Sequence, residues 1–276
     1  MDVTVGLVAQ RDNERATALG ATLTANLERR GVSVQLDEET GARLDLPGVP
    51  VSAMATADLV VSIGGDGTFL FVAREVGSTP IVGVNLGEVG FLNAVPPADA
   101  PEAVSALVDR LEAGEPVDSR QVNRLQARGD EWALEPALNE VVLHGPRRGP
   151  AGGARIEVSV DGERYVDSDA DGVLVATPTG STAYNLSEGG PLIRPGLDVL
   201  VVTQMCATDS MPPLVIDTDR ELTVRLSEAD HGYAIADGRN RQRLELPTTV
   251  TVTLAEEPVS LAGPRVNFFE ALEKLQ

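Results

Sequence analysis

The pattern of apolar residues changes partway along this chain of 276 residues, and this change constrains the fold most strongly. Val3–Val8 is apolar and β-branched, as in a buried strand, and residues 11–30 then carry apolar side chains at helical spacing. Further strand-like runs lie at residues 32–36, 59–63 and 80–85. A second helical pattern covers residues 100–113. Because strands interleaved with helices form parallel sheets, residues 1–118 are predicted to be a Rossmann-like α/β domain.

After residues 114–118 the strand-like runs become short, and glycine, proline and aspartate separate them. These runs are residues 138–143, 156–160, 172–176, 200–203, 222–226 and 250–254. Such spacing is typical of an all-β domain, so residues 119–276 are predicted to form a β-sandwich. Residues 268–275 predict a terminal helix or tail, which we expect to return to the first domain.

The composition is strongly acidic, with 22 Lys+Arg against 42 Asp+Glu and a formal net charge of -20. This charge argues against binding to nucleic acids or anionic membranes. Lys274 is the single lysine, and a surface so poor in lysine and rich in acid predicts a halophilic source. The lone Cys206, with no charged and apolar leader, predicts a cytoplasmic protein.

The run Gly64-Gly65-Asp66-Gly67-Thr68 follows a predicted strand and indicates a phosphate-binding loop. A carboxylate repels phosphate, so Asp66 must either hold magnesium or accept a proton from an attacking hydroxyl. An alternative is a plain β-hairpin turn between two apolar stretches, and spacing alone does not decide between them. A P-loop needs a lysine within its glycine-rich loop, and a protein kinase needs a lysine on a strand. Lys274, the single lysine, can fill neither place, so both classes of phosphotransferase are excluded.

The densest set of small, hydroxyl and acidic residues lies at residues 169–191. It contains Asp171-Gly172 and then Thr177 through Tyr184, which together suit a nucleotide: the ring stacks on a base and the hydroxyls meet ribose. The alternative is a Ser/Thr-rich loop that caps a helix beginning near Thr182.

Taken together, these motifs resemble the NAD kinase family. Its members carry a Gly-Gly-Asp-Gly-Thr loop, an Asn-Glu pair, and Asp-Gly followed by Thr-Pro-x-Gly-Ser-Thr-Ala-Tyr, and all three occur here in order. Weaker matches are Asn85-Leu86-Gly87 to Gly90-Phe91-Leu92 and Asp237-Gly238-Arg239. The resemblance implies the fold of NAD kinases and diacylglycerol kinases, with a nucleotide cleft between the domains. It also implies phosphoryl transfer from ATP or polyphosphate to the 2′-hydroxyl of the adenosine ribose of NAD.

The resemblance also implies roles for individual residues. Asp66 would be the proton acceptor and an NAD contact, with phosphate groups held by Gly64, Gly65, Gly67 and Thr68. Gly67 would also contact NAD, as would Asn139, Glu140, Asp171, Thr182, Ala183, Tyr184, Asn185 and Ser187. Asp237 and Arg148 are weaker candidates, the latter beside His144 and Arg147. Magnesium is expected with ATP, no metal ligands are assigned, and a homodimer or homotetramer is expected.

Two alternatives and one departure accompany this prediction. A lipid kinase of the same superfamily would share the Asp66 loop but should present a basic or apolar membrane-facing surface. A non-catalytic dinucleotide sensor would need no aspartate in the loop. The stretch Cys206–Pro213 lacks the histidine and the Arg-Pro run that many family members carry there, which bears on donor or substrate preference.

Overall fold

A computed structural model describes residues 2–87, 90–147, 149 and 152–273. Among these residues the strands are β1 Thr4–Ala9, β2 Ser33–Asp37, β3 Gly48–Val49, β4 Leu59–Gly64, β5 Ile81–Asn85, β6 Ser119–Val122, β7 Leu125–Arg128, β8 Glu140–His144, β9 Ala154–Val160, β10 Glu163–Ala170, β11 Gly172–Ala176, β12 Val199–Met205, β13 Leu214–Asp217, β14 Leu222–Ser227, β15 His231–Ala236, β16 Asn240–Glu245, β17 Thr248–Leu254 and β18 Val259–Ala262. The α-helices are α1 Glu14–Arg29, α2 Glu38–Leu44, α3 Asp66–Glu75, α4 Ala100–Glu112, α5 Tyr184–Ser187 and α6 Phe268–Leu272.

The chain divides into two compact units that each hold their own core. The N-terminal unit comprises Met1–Val122 and Glu257–Gln276, and the inserted unit comprises Asn123–Glu256. The sequence predicted a boundary after residue 118. It assigned residues 119–276 to the second domain, with a C-terminal tail that returns to the first. In the structure the chain crosses after Val122 and crosses back after Glu256.

The N-terminal unit is built on a seven-stranded sheet of order β3-β2-β1-β4-β5-β18-β6. All neighbouring pairs are parallel except β18 with β6, which is antiparallel. β1, β4 and β5 are largely buried: α1 and α4 pack on one face of the sheet, and α3 packs against β4 and β5. This parallel arrangement brings the carboxyl ends of β4 and β5 together, with Gly64 paired to Asn85.

The inserted unit is a β-sandwich of a five-stranded and a six-stranded antiparallel sheet. Their orders are β10-β9-β14-β17-β7 and β13-β12-β11-β8-β15-β16. Alternate residues of both sheets, such as Val141 and Val173 from one and Ile156 and Val224 from the other, form a single buried core. The opposite face of the six-stranded sheet is also covered, because Leu174 and its neighbours pack against the segment that follows β11.

The predicted combination of an α/β domain with a β-sandwich is confirmed. The hairpin alternative at Asp66 is wrong, since α3 begins at that residue. The described residues contain no helix long and apolar enough to cross a membrane.

Candidate functional site

The phosphate-loop candidate joins β4 to α3 and is tight at one end and open at the other. A Cβ atom added to Gly64 would lie 2.5 Å from Thr68 Oγ1, so a larger residue does not fit there. A Cβ added to Gly65 or Gly67 would meet no described atom within 4 Å. The backbone of these two glycines therefore faces free space, which lets an anion approach closely.

At the amino end of α3, the N–H groups of Gly65, Asp66 and Gly67 have no backbone acceptor among the described residues. Thr68 N–H and Phe69 N–H donate to Gly65 O at 3.0 and 3.2 Å, so the first helical hydrogen bonds begin there. No described side chain caps the helix. The positive end of the helix dipole and these early N–H groups suit a phosphate group.

Asp66 is half-buried at the first position of α3, and three donors from one loop hold its carboxylate. Phe91 N–H donates to Oδ2 at 3.0 Å, and Leu92 N–H donates to Oδ1 at 3.3 Å. The Asn93 side-chain amide donates to Oδ1 at 3.2 Å. A Cβ added to Gly90 would lie 2.1 Å from Oδ1, so only glycine allows this approach.

In the inserted unit, Asp237 anchors the start of β8. It lies at the tip of the β15–β16 hairpin with a φ of 47°, a left-handed conformation that Asp tolerates. Its Oδ2 accepts from Leu138 N–H at 2.8 Å, and its Oδ1 accepts from the N–H groups of Asn139 and Glu140 at 2.8 and 3.2 Å. Asp237 is thus both a hairpin turn residue and the support of the Asn-Glu pair.

Glu140 is a buried carboxyl group close to that second carboxylate. It is 6% exposed, and its Oε2 has no hydrogen-bond partner among the described residues. Burial, and secondarily the charge of Asp237, raise the pKa of Glu140 to about 7, against a hydrogen bond from the Tyr184 backbone that lowers it. Such a group can accept or donate a hydrogen bond near neutral pH.

Asp171 connects two strands to the loop that follows β8. Its carboxylate accepts from Gly149 N–H at 2.8 Å. Its backbone N–H donates to Met205 O at 2.9 Å, and its carbonyl accepts from Gly145 N–H at 3.1 Å. Arg148, the weaker candidate in this loop, lies outside the described residues, whereas Arg147 is exposed.

Asn185 holds the segment after β11 together from inside. It is fully buried, and its amide nitrogen donates to the carbonyls of Ser181 and Pro191 at 3.3 and 3.1 Å. Its Oδ1 accepts from the Thr203 hydroxyl at 2.8 Å, and a Cβ added to Gly190 would lie 2.0 Å from that oxygen. Its side chain thus serves the internal framework of this segment.

The neighbouring residues of this segment are more accessible. Thr182, Ala183 and Tyr184 are half-buried and Ser187 is exposed, with α5 beginning at Tyr184. The predicted helix near Thr182 is a short 3-10 turn, Gly180–Thr182, followed by α5. Tyr184 packs against the apolar face of the six-stranded sheet, so its ring has a fixed support.

The Cys206–Pro213 stretch, which departs from the family pattern, is a largely exposed loop with hydrogen bonds to β10 of the five-stranded sheet and to β12 of the six-stranded sheet. Thr208 N–H donates to Asp169 O at 2.9 Å, and Met211 N–H donates to Gln204 Oε1 at 2.9 Å. His144 is buried against Tyr233, with ring centroids 5.4 Å apart. These contacts give the loop and the histidine structural partners.

Sequence reasoning missed the side chain of Asn93 and the close approach of Gly90 to Asp66. The Gly90-Phe91-Leu92 match was visible, but nothing in the linear sequence links it to a carboxylate so far upstream. Among the residues that the structure describes, no group of three His, Cys, Asp or Glu side chains could hold a metal ion.

Comparison with known proteins assigns both units. Residues 5–112 match the ATP-NAD kinase N-terminal domain family, and residues 138–263 match the ATP-NAD kinase C-terminal domain family. A curated NAD kinase of Halorubrum lacusprofundi is 55% identical, with 98% of this chain and 99% of that protein covered. The NAD kinase of Haloarcula marismortui is 52% identical, with 99% and 100% covered. The predicted halophilic source fits these relatives.

Solved structures agree in fold. Yeast NADH kinase, complexed with NADH, matches with a TM-score of 0.84 at 20% identity over 99% of this chain and 87% of that one. An NAD kinase from Archaeoglobus fulgidus, in complex with ATP, matches with a TM-score of 0.80 at 23% identity over 99% and 100%. With both domain families matched and relatives above 50% identity along its length, the chain belongs to the NAD kinase family.

Proposed function

We propose that this protein transfers the terminal phosphoryl group of ATP or polyphosphate to the 2′-hydroxyl of the adenosine ribose of NAD, giving NADP. The observation that carries the proposal is the Asp66 carboxylate, which three donors hold at the amino end of α3 beside two open glycines. A sensor or a structural turn has no use for a carboxylate fixed next to an anion site.

Asp66 acts as the acceptor for the ribose hydroxyl. A carboxylate offers about four lone-pair sites, and the contacts from Leu92, Asn93 and Phe91 use two on Oδ1 and one on Oδ2. Oδ2 therefore keeps room for the 2′-hydroxyl. As the 2′-oxygen forms its bond to phosphorus and the bond from phosphorus to the leaving phosphate oxygen breaks, the proton passes to Asp66 and then to solvent.

The backbone of the loop holds phosphate. The N–H groups of Gly65 and Gly67 border free space at the positive end of α3, and Thr68 adds a hydroxyl. Gly64 contributes indirectly, because the absence of a side chain lets the loop turn tightly against Thr68.

The inserted unit supplies the residues proposed for dinucleotide recognition. They are Asn139, Glu140, Asp171, Thr182, Ala183, Tyr184 and Ser187. Asn185 and Asp237 are included as residues that support this set. The Asn185 amide and the Asp237 carboxylate are hydrogen-bonded to neighbouring chain segments.

Magnesium fits this arrangement as an ion carried by the donor phosphates. Mg²⁺ in such sites takes one or two protein carboxylates and otherwise phosphate and water oxygens. Asp66, at the first position of α3, is one carboxylate that could take this place. When bound, the ion would neutralise charge on the donor phosphates.

We also propose that the protein forms a homodimer or homotetramer. Light scattering would measure the molar mass of the assembly.

The test is NADP formation from NAD, Mg²⁺ and ATP in high salt, with the native protein beside Asp66→Asn. The substitution keeps the size of the side chain and removes the proton acceptor, so kcat should fall about 10²- to 10⁴-fold while NAD still binds in calorimetry. Asp99→Asn is the matched control: Asp99 is exposed at the start of α4 and makes no capping hydrogen bond there. That variant should keep native kcat.

The possible negative results of this assay distinguish the two alternative functions. A folded native protein that binds NAD but makes no NADP from ATP or polyphosphate would overturn the kinase proposal in favour of a sensor. Absence of NAD binding together with phosphorylation of diacylglycerol in vesicles would favour the lipid kinase. The same assay with NADH as acceptor measures substrate preference.

A further inference from the structure

Asn93 is completely buried, yet its side-chain amide is satisfied at one end only. Its nitrogen donates to Asp66 Oδ1 at 3.2 Å. Its oxygen, Oδ1, has no hydrogen-bond partner among the described residues. A buried acceptor without a donor destabilises the folded state, so an apolar side chain of equal size would suit this position better for stability alone.

The backbone fixes where this amide points. Asn85 N–H donates to Val95 O at 2.9 Å, and Val95 N–H donates to Gly83 O at 3.1 Å, which places the chain beside β5. A Cβ added to Gly83 would lie 2.2 Å from Asn93 Oδ1, so the amide occupies space that only a glycine in β5 leaves. Asn93 is therefore wedged between a strand and the Asp66 carboxylate.

The amide orientation follows from its two neighbours. A flipped amide would bring Asn93 Oδ1 against the Asp66 carboxylate, an acceptor against an acceptor. The observed orientation keeps the donor on Asp66 and leaves the oxygen without a partner among the described residues. The side chain thus contributes one directed hydrogen bond to Asp66.

We propose that Asn93 is a positioning residue for phosphoryl transfer, whose buried amide orients the Asp66 carboxylate toward the acceptor hydroxyl. The proposal rests on the function proposed above. Two backbone amides, from Phe91 and Leu92, donate to the same carboxylate. Asn93 adds a donor that is locked against β5.

The test is Asn93→Leu, which keeps the branch at Cγ and removes the donor, although its terminal methyl groups are larger than the amide atoms that they replace. We expect kcat to fall about 10-fold or more, because small displacements of a reacting group have large kinetic effects. The KM for NAD should change much less. Ser62→Ala is the control: Ser62 in β4 is equally buried, and its Oγ has no partner in the described part of the chain, so its loss should leave kcat unchanged without lowering Tm.

A double-mutant cycle separates positioning from general damage. In an Asp66→Asn background, Asn93→Leu should cause little further loss of kcat, since the two residues act as one unit. An equal loss in both backgrounds, or a native kcat in Asn93→Leu, would overturn the proposal. Should the leucine variant not fold, Asn93→Ala carries the same cycle. An inactive native protein would instead refute the kinase function itself.

Discussion

Glu140 links folding of the inserted unit to proton binding. Burial and the nearby Asp237 raise its pKa from an ordinary 4.5 to about 7. Between these values the folded chain holds a proton that the unfolded chain has released. The stability that this group contributes is therefore fully present below about 4.5 and is lost as the pH rises through about 7.

Glu140→Gln should remove this pH dependence. The amide cannot ionise, so the Tm of the variant relative to the native protein should increase from about pH 5 to about pH 8. Thermal unfolding in concentrated salt at several pH values measures it, with the exposed Glu256→Gln as control. A Tm difference that is constant with pH would show that Glu140 titrates normally.

Asp237 should matter for stability through the three N–H groups that it accepts at residues 138–140. Asp237→Asn keeps the left-handed turn preference but removes the charge and one acceptor oxygen. We expect the free energy of unfolding to fall by about 1–3 kcal/mol in denaturant titrations, since at least one buried donor loses its partner. Asp230→Ala, an exposed position just before β15, should be neutral, and equal losses in the two variants would contradict this account.

At the scale of elements, α3 combines a stability defect with the anion site that we propose. Gly67 lies in its first turn, where glycine is less favourable than alanine by about 0.5–1 kcal/mol. Binding of a phosphate group close to the backbone at this point would explain why a glycine, and not an alanine, occupies position 67.

Gly67→Ala should therefore stabilise the protein and impair the reaction. Unfolding free energy should rise by about 0.5–1 kcal/mol, while the KM for the phosphate donor increases because the added methyl group occupies the open space. Gly20→Ala in α1 is the matched control, since its Cβ would make ordinary contacts at 3.7 and 3.9 Å. It should stabilise with native kinetics, and a native donor KM in Gly67→Ala would refute phosphate binding there.

The elements show which parts of the structure local sequence can predict. At Asp66 the sequence allowed a phosphate-binding loop or a hairpin turn and did not predict α3, although Phe69, Val72 and Ala73 are buried at helical spacing. β16 could not be predicted, because Leu244 is the only buried residue of Asn240–Glu245 and the strand exists by pairing with β15.

In the candidate site, too, local sequence predicts some features and not others. Motifs located Asp66 and the segment around Tyr184, since both are contiguous runs with unusual composition. The contact of Asn93 with Asp66 and that of Asp237 with Asn139 join distant positions through the fold. Hydrogen bonds of this kind leave no periodicity in the sequence from which they could be inferred.

At the scale of the whole molecule, the net charge of -20 governs the response to salt. Exposed ion pairs such as Arg30 with Asp109 add little stability, whereas the excess of carboxylates repels itself. Screening should therefore relieve more repulsion than attraction.

We expect Tm to rise as KCl increases from about 0.1 M to about 1 M, because the Debye length shortens from about 10 Å to about 3 Å. Differential scanning fluorimetry across this range measures the effect. A parallel series in sucrose, an uncharged excluded solute, separates charge screening from general exclusion. A Tm that falls or stays constant with KCl would show that repulsion does not limit stability.

The position of β18 determines the order in which this protein can be assembled during synthesis. β18 lies between β5 and β6 in the first sheet, yet residues 123–256 are encoded between β6 and β18. While the ribosome makes the inserted unit, the edge of β5 has no neighbour on that side, and β6 has nothing to pair with. The time taken to translate those residues sets how long that edge of β5 stays unpaired. The unit that is encoded first is therefore the unit that is completed last.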